Sequence, residues 1–274
     1  SEVNNSMQTT DFLQGGNPDL GYIKRKEFTV GLDASLWKGL VRLNANYFVT
    51  NTEGLLAQPQ NYPSYFQTYY PKSDMRPYIN MNNQRRTGVD LSVNVGKKHG
   101  DFEWNVGLVG MYYTSKNTKW DENVKYDWLK AEGEAIDALR GYQCIGFFKD
   151  AADVESSAKV NANTKPGDLK YVDQNNDGVI NEQDQVVLGK WGASWVMGLN
   201  LTAKYKGFTL FVAGTGSFGG KGLKNNSYMH VYGDRKYSEV VRGRWTEETA
   251  DIATYPRLTT QGGDLNFVAS DFWL

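Results

Sequence analysis

Twelve residues, Asp173-Gln-Asn-Asn-Asp-Gly-Val-Ile-Asn-Glu-Gln-Asp184, space oxygen-bearing side chains in a way that suits a hard divalent cation. Calcium takes about six to eight oxygen ligands, and a twelve-residue EF-hand loop supplies them from positions 1, 3, 5, 7, 9 and 12, with glycine at position 6 for the sharp turn. Those positions hold Asp173, Asn175, Asp177, the Val179 carbonyl, Asn181 and Asp184, with Gly178 at the turn and Ile180 as the apolar anchor. The expected metal ligands are therefore Asp173, Asn175, Asp177, Val179 through its carbonyl, and Asp184, with Asn181 or a water completing the shell. The expected cofactor is a structural Ca2+. Aspartate at the last position has a shorter arm than the usual glutamate, as in the calcium loops of dockerin-like modules. The competing reading is a polar surface turn, because Asn, Asp and Gly tolerate left-handed backbone and cap their own chain.

Other chemistry has little material. Cys144 is the one cysteine, which excludes a disulfide framework and a cysteine metal cluster, and it reads as a small apolar residue. His99 and His230 are the two histidines and lie far apart in sequence. The carboxylate pairs Glu247-Glu248 and Asp121-Glu122 sit in polar loops and read as solvated charges. "GTGSFG", Gly214 to Gly219, fits a dinucleotide-binding spacing, but it ends an alternating strand and opens no helix. No catalytic residue is expected, and the chain is not read as an enzyme.

The elements around the loop are strands. In "EFTVGLDASL", Phe28, Val30, Leu32, Ala34 and Leu36 alternate with Thr29, Gly31, Asp33 and Ser35, a period of two. After Trp37-Lys38-Gly39, Val41, Leu43, Ala45, Tyr47 and Val49 alternate with Arg42, Asn44 and Asn46, which makes a hairpin. A second hairpin pairs "GVDLSVNV" with the run from Phe102 to Tyr112 across "GKKHGD", and a third pairs "WVMGLNLTAKY" with the run from Phe208 across Lys206-Gly207. The hairpins close over a few residues, whereas the connections between them are long, at 50–86, 114–194 and 218–270. Strict alternation of short and long connections puts all the long ones on one side of an antiparallel sheet, which is the asymmetry of outer-membrane barrels. Strands of about ten residues cross a bilayer at a tilt. Aromatic residues near the strand ends, among them Trp37, Tyr47, Trp104, Tyr112, Trp195 and Tyr205, stand where interfacial girdles form.

Composition permits this. The 274 residues carry a formal net charge of -1, which gives no footprint for nucleic acid. No apolar run is long enough for a transmembrane helix, and barrel strands need none. Aromatic residues at 14 % and 29 glycines suit a strand-and-turn protein. A chain beginning at Ser1 without a signal peptide reads as a mature protein or a piece of a longer one. The soluble alternative is a β-sandwich, specifically a calcium-dependent carbohydrate-binding domain, but sandwich strands are shorter and its loops more even.

An ordered set of segments resembles the SusC/RagA-like TonB-dependent outer-membrane transporters. These are "GGNPDLGYIKRKEFTVGLD", "GYQCIGFFKDAADV", "KPGDLKYVDQNNDGVINEQDQVVLGKWGASWVMGLNLTAKYKGFTLFVAGTGSFG", "RWTEETADIATYPRLTT" and "SDFWL". They cover nearly the whole chain. The one departure is "GKWGASW", where the family commonly carries a proline-containing segment. The resemblance implies an all-β fold, the C-terminal part of an antiparallel up-and-down transmembrane β-barrel of roughly 22 strands, with the plug and the last strands absent. Residues 1–274 would then belong to one barrel domain, and the calcium loop at 173–184 would lie in the extracellular 114–194 connection. The resemblance also implies TonB-driven import of an oligomeric glycan or peptide, a SusD-like surface lipoprotein as lid, TonB contact through the absent N-terminal region, and a setting in outer-membrane lipid. The aromatic residues Tyr62, Tyr65, Phe66, Tyr69, Tyr70, Trp120, Tyr126 and Trp128 could stack on sugars or pack against protein, and packing is the expected role.

Overall fold

The computed structural model describes residues 15–63, 75–260 and 266–274. Two compact units emerge. One comprises the described residues up to Val124 with Lys130–Ile136 and Leu199–Ala213; the other comprises Lys125–Leu129, Asp137–Gly198 and the described residues from Gly214 onward.

A sheet of six strands makes up most of the first unit: β1 (Lys24–Leu36), β2 (Val41–Ala57), β3 (Ile79–His99), β4 (Phe102–Lys119), β9 (Trp195–Tyr205) and β10 (Phe208–Phe218), in the order β1-β2-β3-β4-β9-β10, with Leu199–Ala213 the part of the last two strands that belongs to this unit. The up-and-down order is the one expected. The register joins like with like: Leu32 pairs with Ala45 and Ala45 with Leu91, while on the other face Asp33 pairs with Asn44 and Asn44 with Ser92. Since one-residue slips would exchange the faces, the apolar alternation itself sets this register.

The apolar face is left bare. Phe28, Val30, Leu32, Leu91, Leu108, Leu199 and Leu210 are each 46–62 % exposed. A sandwich would bury these residues against a second sheet, so the soluble alternative does not describe this unit. The opposite face carries a hydrogen-bonded polar row. Asn44 Nδ2 donates to Asp33 Oδ1 at 2.6 Å, and Asn46 Nδ2 donates to Asp90 Oδ1 at 2.7 Å. Gly88 sits in that face because a Cβ there would come within 2.6 Å of the Phe48 ring and 2.9 Å of Tyr113. The sheet is open, with β1 and β10 at its edges, and is an incomplete portion of a barrel.

Four strands are longer than expected, at 13, 17, 21 and 18 residues for β1 to β4. The connection read as 50–86 therefore shrinks to 58–78, since Thr50–Thr52 pair with Gln84–Arg86. Alternation vanishes there because both faces are polar outside the lipid belt, so periodicity reports only the part of each strand that crosses. One turn also tightens, since β3 runs through the expected turn to His99 and leaves Gly100-Asp101, while Lys206 (φ 42°) with Gly207 (φ 85°) forms the expected two-residue hairpin, of the left-handed kind that matches strand twist.

The second unit replaces two expected loops with one core. It contains β5 (Ala138–Gly141) paired with β8 (Val186–Lys190), β6 (Cys144–Phe147) paired with β7 (Leu169–Tyr171), and the short helix α1 (Ala151–Ser156). Leu169, Tyr171 and Ile180 from the 114–194 connection pack in one cluster with Val231, Val241 and Tyr255 from the 218–270 connection and with Trp273 just after it.

Candidate functional site

β7 delivers the chain from this core into the 173–184 loop. Asn176 (φ 57°) and Gly178 (φ 84°) take the left-handed backbone that makes the sharp turn, which is the conformation Gly178 supplies without strain. The Asp173 carboxylate accepts hydrogen bonds from Gly178 N at 2.8 Å and Asp177 N at 3.3 Å. Asn175 Oδ1 accepts from Asp177 N at 3.0 Å, and Asp177 Oδ1 accepts from Val179 N at 2.9 Å. Asp184 is fully buried, and its two oxygens accept from Gln174 N at 2.9 Å and Asn181 N at 2.8 Å, closing the loop end to end. Asn181 faces the exit turn, accepting from Gln183 N at 2.8 Å. Ile180 is 3 % exposed and anchors the loop in the core, with its N–H donated to Lys159 O at 3.1 Å.

All these side chains are oxygen donors of the kind a hard cation takes, and each bonded carboxylate oxygen keeps a second lone pair. Among the described residues no three Asp, Glu, His or Cys side chains are gathered closely enough to hold a metal ion. The loop is thus shaped by its own amides, with the acids arrayed but not converged.

Residues 125–129 pack beside it. Trp128 Nε1 donates to Gln183 O at 2.7 Å, and its ring stacks on Tyr126 at 4.5 Å. Trp128 and Tyr126 thus pack against each other, and Trp128 against the loop backbone. Tyr65, Phe66, Tyr69 and Tyr70 lie outside the described residues. The Tyr126 hydroxyl holds the Lys125 ammonium above its ordinary range, with a smaller pull from the Asp177 carboxylate.

A second cluster was not legible beforehand. Asp168, 1 % exposed, is held by Arg257, Asn266 and the Lys165 N–H. Arg257 Nη2 donates to Asp168 Oδ2 at 3.1 Å, and Arg257 Nε lies 2.7 Å from Oδ1 with its N–H aimed off that line, so this second contact is an ion pair and not a straight hydrogen bond. Asn266 donates to Asp168 Oδ1 and accepts from Leu169 N, both at 2.8 Å. The one signal in the sequence was that Asp168 and Arg257 both fall in segments carrying the family resemblance.

The groups weighed for catalysis take structural positions. Cys144 is half-buried, and burial pushes its thiol up to about 11, away from the reactive thiolate. His230 packs against Trp273 and Phe267, and burial, with Arg235 nearby, pulls its pKa down. Asp121 and Glu122 are not merely solvated: Asp121 accepts from Gln60 N at 2.8 Å, and Glu122 accepts from Ala131 N at 2.6 Å and Glu132 N at 3.2 Å. Their sequence neighbours gave no hint of these backbone partners, which come from distant turns.

A long-stranded antiparallel sheet, bare and apolar on one face and polar on the other, defines the wall of an outer-membrane barrel. Residues 3–232 match the family model described as TonB dependent receptor-like, beta-barrel, and the chain belongs to that family. The resemblance read from the sequence is borne out. The chain is similar to two proteins of Formosa agariphila: TonB-dependent receptor P26, at 28 % identity over 95 % of this chain and 27 % of the relative, and TonB-dependent receptor P3, at 25 % identity over 79 % of this chain and 22 % of the relative. It spans less than a third of the length of these relatives. Its fold is similar to that of the RagAB peptide transporter, with a TM-score of 0.68 and 16 % identity over 96 % of this chain and 29 % of that one. The RagAB peptide importer in its open-open state superposes with a TM-score of 0.67 at 18 % identity, over 92 % of this chain and 27 % of that chain.

Proposed function

We propose that these residues form wall and extracellular loops of an outer-membrane importer that takes up an oligomeric nutrient, a peptide or glycan, under TonB drive and with a SusD-like surface lipoprotein as partner. The observation that carries this reading is the sheet: apolar side chains stand bare on one face opposite a hydrogen-bonded Asp and Asn row, in a chain of the TonB-dependent receptor family. The apolar face meets lipid and the polar face meets the lumen. The tight turns then face the periplasm and the long connections the cell exterior. TonB engages a part of the protein outside these residues. The likeness to a peptide transporter supports an oligomeric substrate. Gentle detergent extraction of the intact receptor should bring down a surface lipoprotein, and shortening the 58–78 connection should weaken that association. Isolation of the receptor with no lipoprotein partner would argue against the reading.

The 173–184 loop, in the same reading, holds one structural calcium through Asp173, Asn175, Asp177, the Val179 carbonyl and Asp184. The ion draws the carboxylates closer than they stand and offsets the conformational entropy of ordering a long connection. The role is structural support. Chelation should raise proteolytic cleavage within 150–190, and Asp177→Ala should do the same in the presence of calcium. The sheet should keep its heat-modifiable gel mobility in both cases, because its hydrogen bonds do not involve the loop. An unchanged cleavage pattern on chelation refutes the calcium assignment.

A further inference from the structure

Above the lipid-facing stripe, the polar face of β1, β2 and β3 changes character. The register sets Arg25 beside Thr52 and Thr52 beside Gln84, and, one step toward the membrane, Glu27 beside Thr50 and Thr50 beside Arg86. These residues share the parity of Asp33, Asn44 and Ser92, so they face the lumen. Arg25, Thr50, Thr52, Gln84, Arg85 and Arg86 border a hollow of about 180 Å³. Most of its polar groups are engaged. Arg25 pairs with Glu27 at 2.9 Å, Arg85 Nε donates to Asn51 Oδ1 at 2.7 Å, and Gln84 donates to Asn117 at 3.3 Å. Arg86 is exposed and has no side-chain partner among the described residues. Two guanidiniums, Arg25 and Arg86, thus stand against the single carboxylate of Glu27, with the Thr52 hydroxyl between them.

We propose that this hollow is a lumenal subsite for a free carboxylate carried by the imported oligomer, a peptide C-terminus or a uronic acid. The proposal rests on the import reading above. A guanidinium presents paired N–H donors that match a carboxylate in two parallel hydrogen bonds, and Arg86 is the one in the hollow left to do so. Thr52 can donate to the same anion, while the Thr50 hydroxyl donates to Glu27 Oε2 at 3.5 Å. Glu27 orients Arg25 and excludes a second anion, which limits the subsite to one carboxylate.

The test is binding by the intact receptor in detergent to two probe pairs: trialanine against trialanine amide, and trigalacturonate against maltotriose. In at least one pair the acid should bind about tenfold more tightly than the neutral form, the scale of a hydrogen bond to a charged group. Arg86→Gln should remove that preference, Arg86→Lys should restore part of it, and Lys26→Gln should leave it intact, because Lys26 lies outside the hollow and pairs with Glu53 at 2.7 Å. The pair that responds identifies the source of the carboxylate. Equal binding of acid and neutral forms, no binding of either acid, or a preference that survives Arg86→Gln overturns the subsite. TonB-dependent uptake of the same probes by cells, measured in parallel, separates the two ideas. Uptake without acid preference sinks the subsite alone, and acid-selective binding without any TonB-dependent uptake sinks the import reading alone.

Discussion

Arg257→Ala should destabilise the second unit by about 3–5 kcal/mol, the cost of leaving a buried charge without its partner. Asp168 is 1 % exposed and would keep Asn266 Nδ2 and Lys165 N as donors but lose its only cation among the described residues. The measurement is hydrogen exchange in the intact receptor. Protection at Leu169 to Tyr171 and at Tyr255 should fall by about two to three orders of magnitude, while β1 to β4 keep theirs. The comparison variant is Lys170→Ala. Lys170 pairs with Asp153 at 2.6 Å, and that contact holds the Asp153 carboxyl below its usual range, but both side chains are above 20 % exposed and solvent screens them. Its loss should cost no more than about 1 kcal/mol. A double replacement, Asp168→Leu with Arg257→Met, should recover much of the deficit, since apolar packing commonly matches a buried pair in stability. Equal, small effects of Arg257→Ala and Lys170→Ala would show that the buried cluster is not what joins the two connections.

Leu32→Arg should block assembly of the sheet into the outer membrane. Leu32 is 59 % exposed on the apolar face, flanked in register by Ala45, so the new guanidinium would stand in hydrocarbon at a cost of about 2–4 kcal/mol near mid-membrane. Leu43→Arg should behave alike, because Leu43 pairs with Ala34 and Val93 in the same stripe. Asp33→Arg differs by one position along the strand and points the other way, into the polar row, where it loses only the 2.6 Å bond from Asn44 and gains water. It should assemble normally. Heat-modifiable mobility of receptor in isolated outer membranes reads the assembled fraction. Matching defects from Leu32→Arg and Asp33→Arg would mean that neither face meets lipid.

The strands were readable because a strand's two faces are a local property. Phe28, Val30 and Leu32 announce their face within five residues, and pairing with Val49, Tyr47 and Ala45 follows from matching one stripe to the next. That local code stops where the lipid stops. Thr50 to Thr52 and Gln84 to Arg86 are paired strand but polar on both faces, so they read as loop.

The 173–184 loop was equally visible, since its donors recur at a fixed spacing inside twelve residues. What the sequence did not show is that Asp184 turns both oxygens onto Gln174 and Asn181. Identity and spacing specify which side chains are near, whereas burial of Asp184 to zero exposure by the surrounding unit decides which of their bonds form.

By itself, then, the sequence determined the barrel wall, its lipid-facing stripe, its family and the place of the acidic loop, all consequences of short-range pattern. Only the tertiary structure decided that two long connections form one core. Leu169, Tyr171 and Ile180 meet Val231, Tyr255 and Trp273, and Asp168 reaches Arg257 across 89 residues and Asn266 across 98. These contacts lie in short, irregular segments with no period to read. Their partners are selected by shape and by the need to pair a buried charge, and neither condition exists until the chain has folded back on itself.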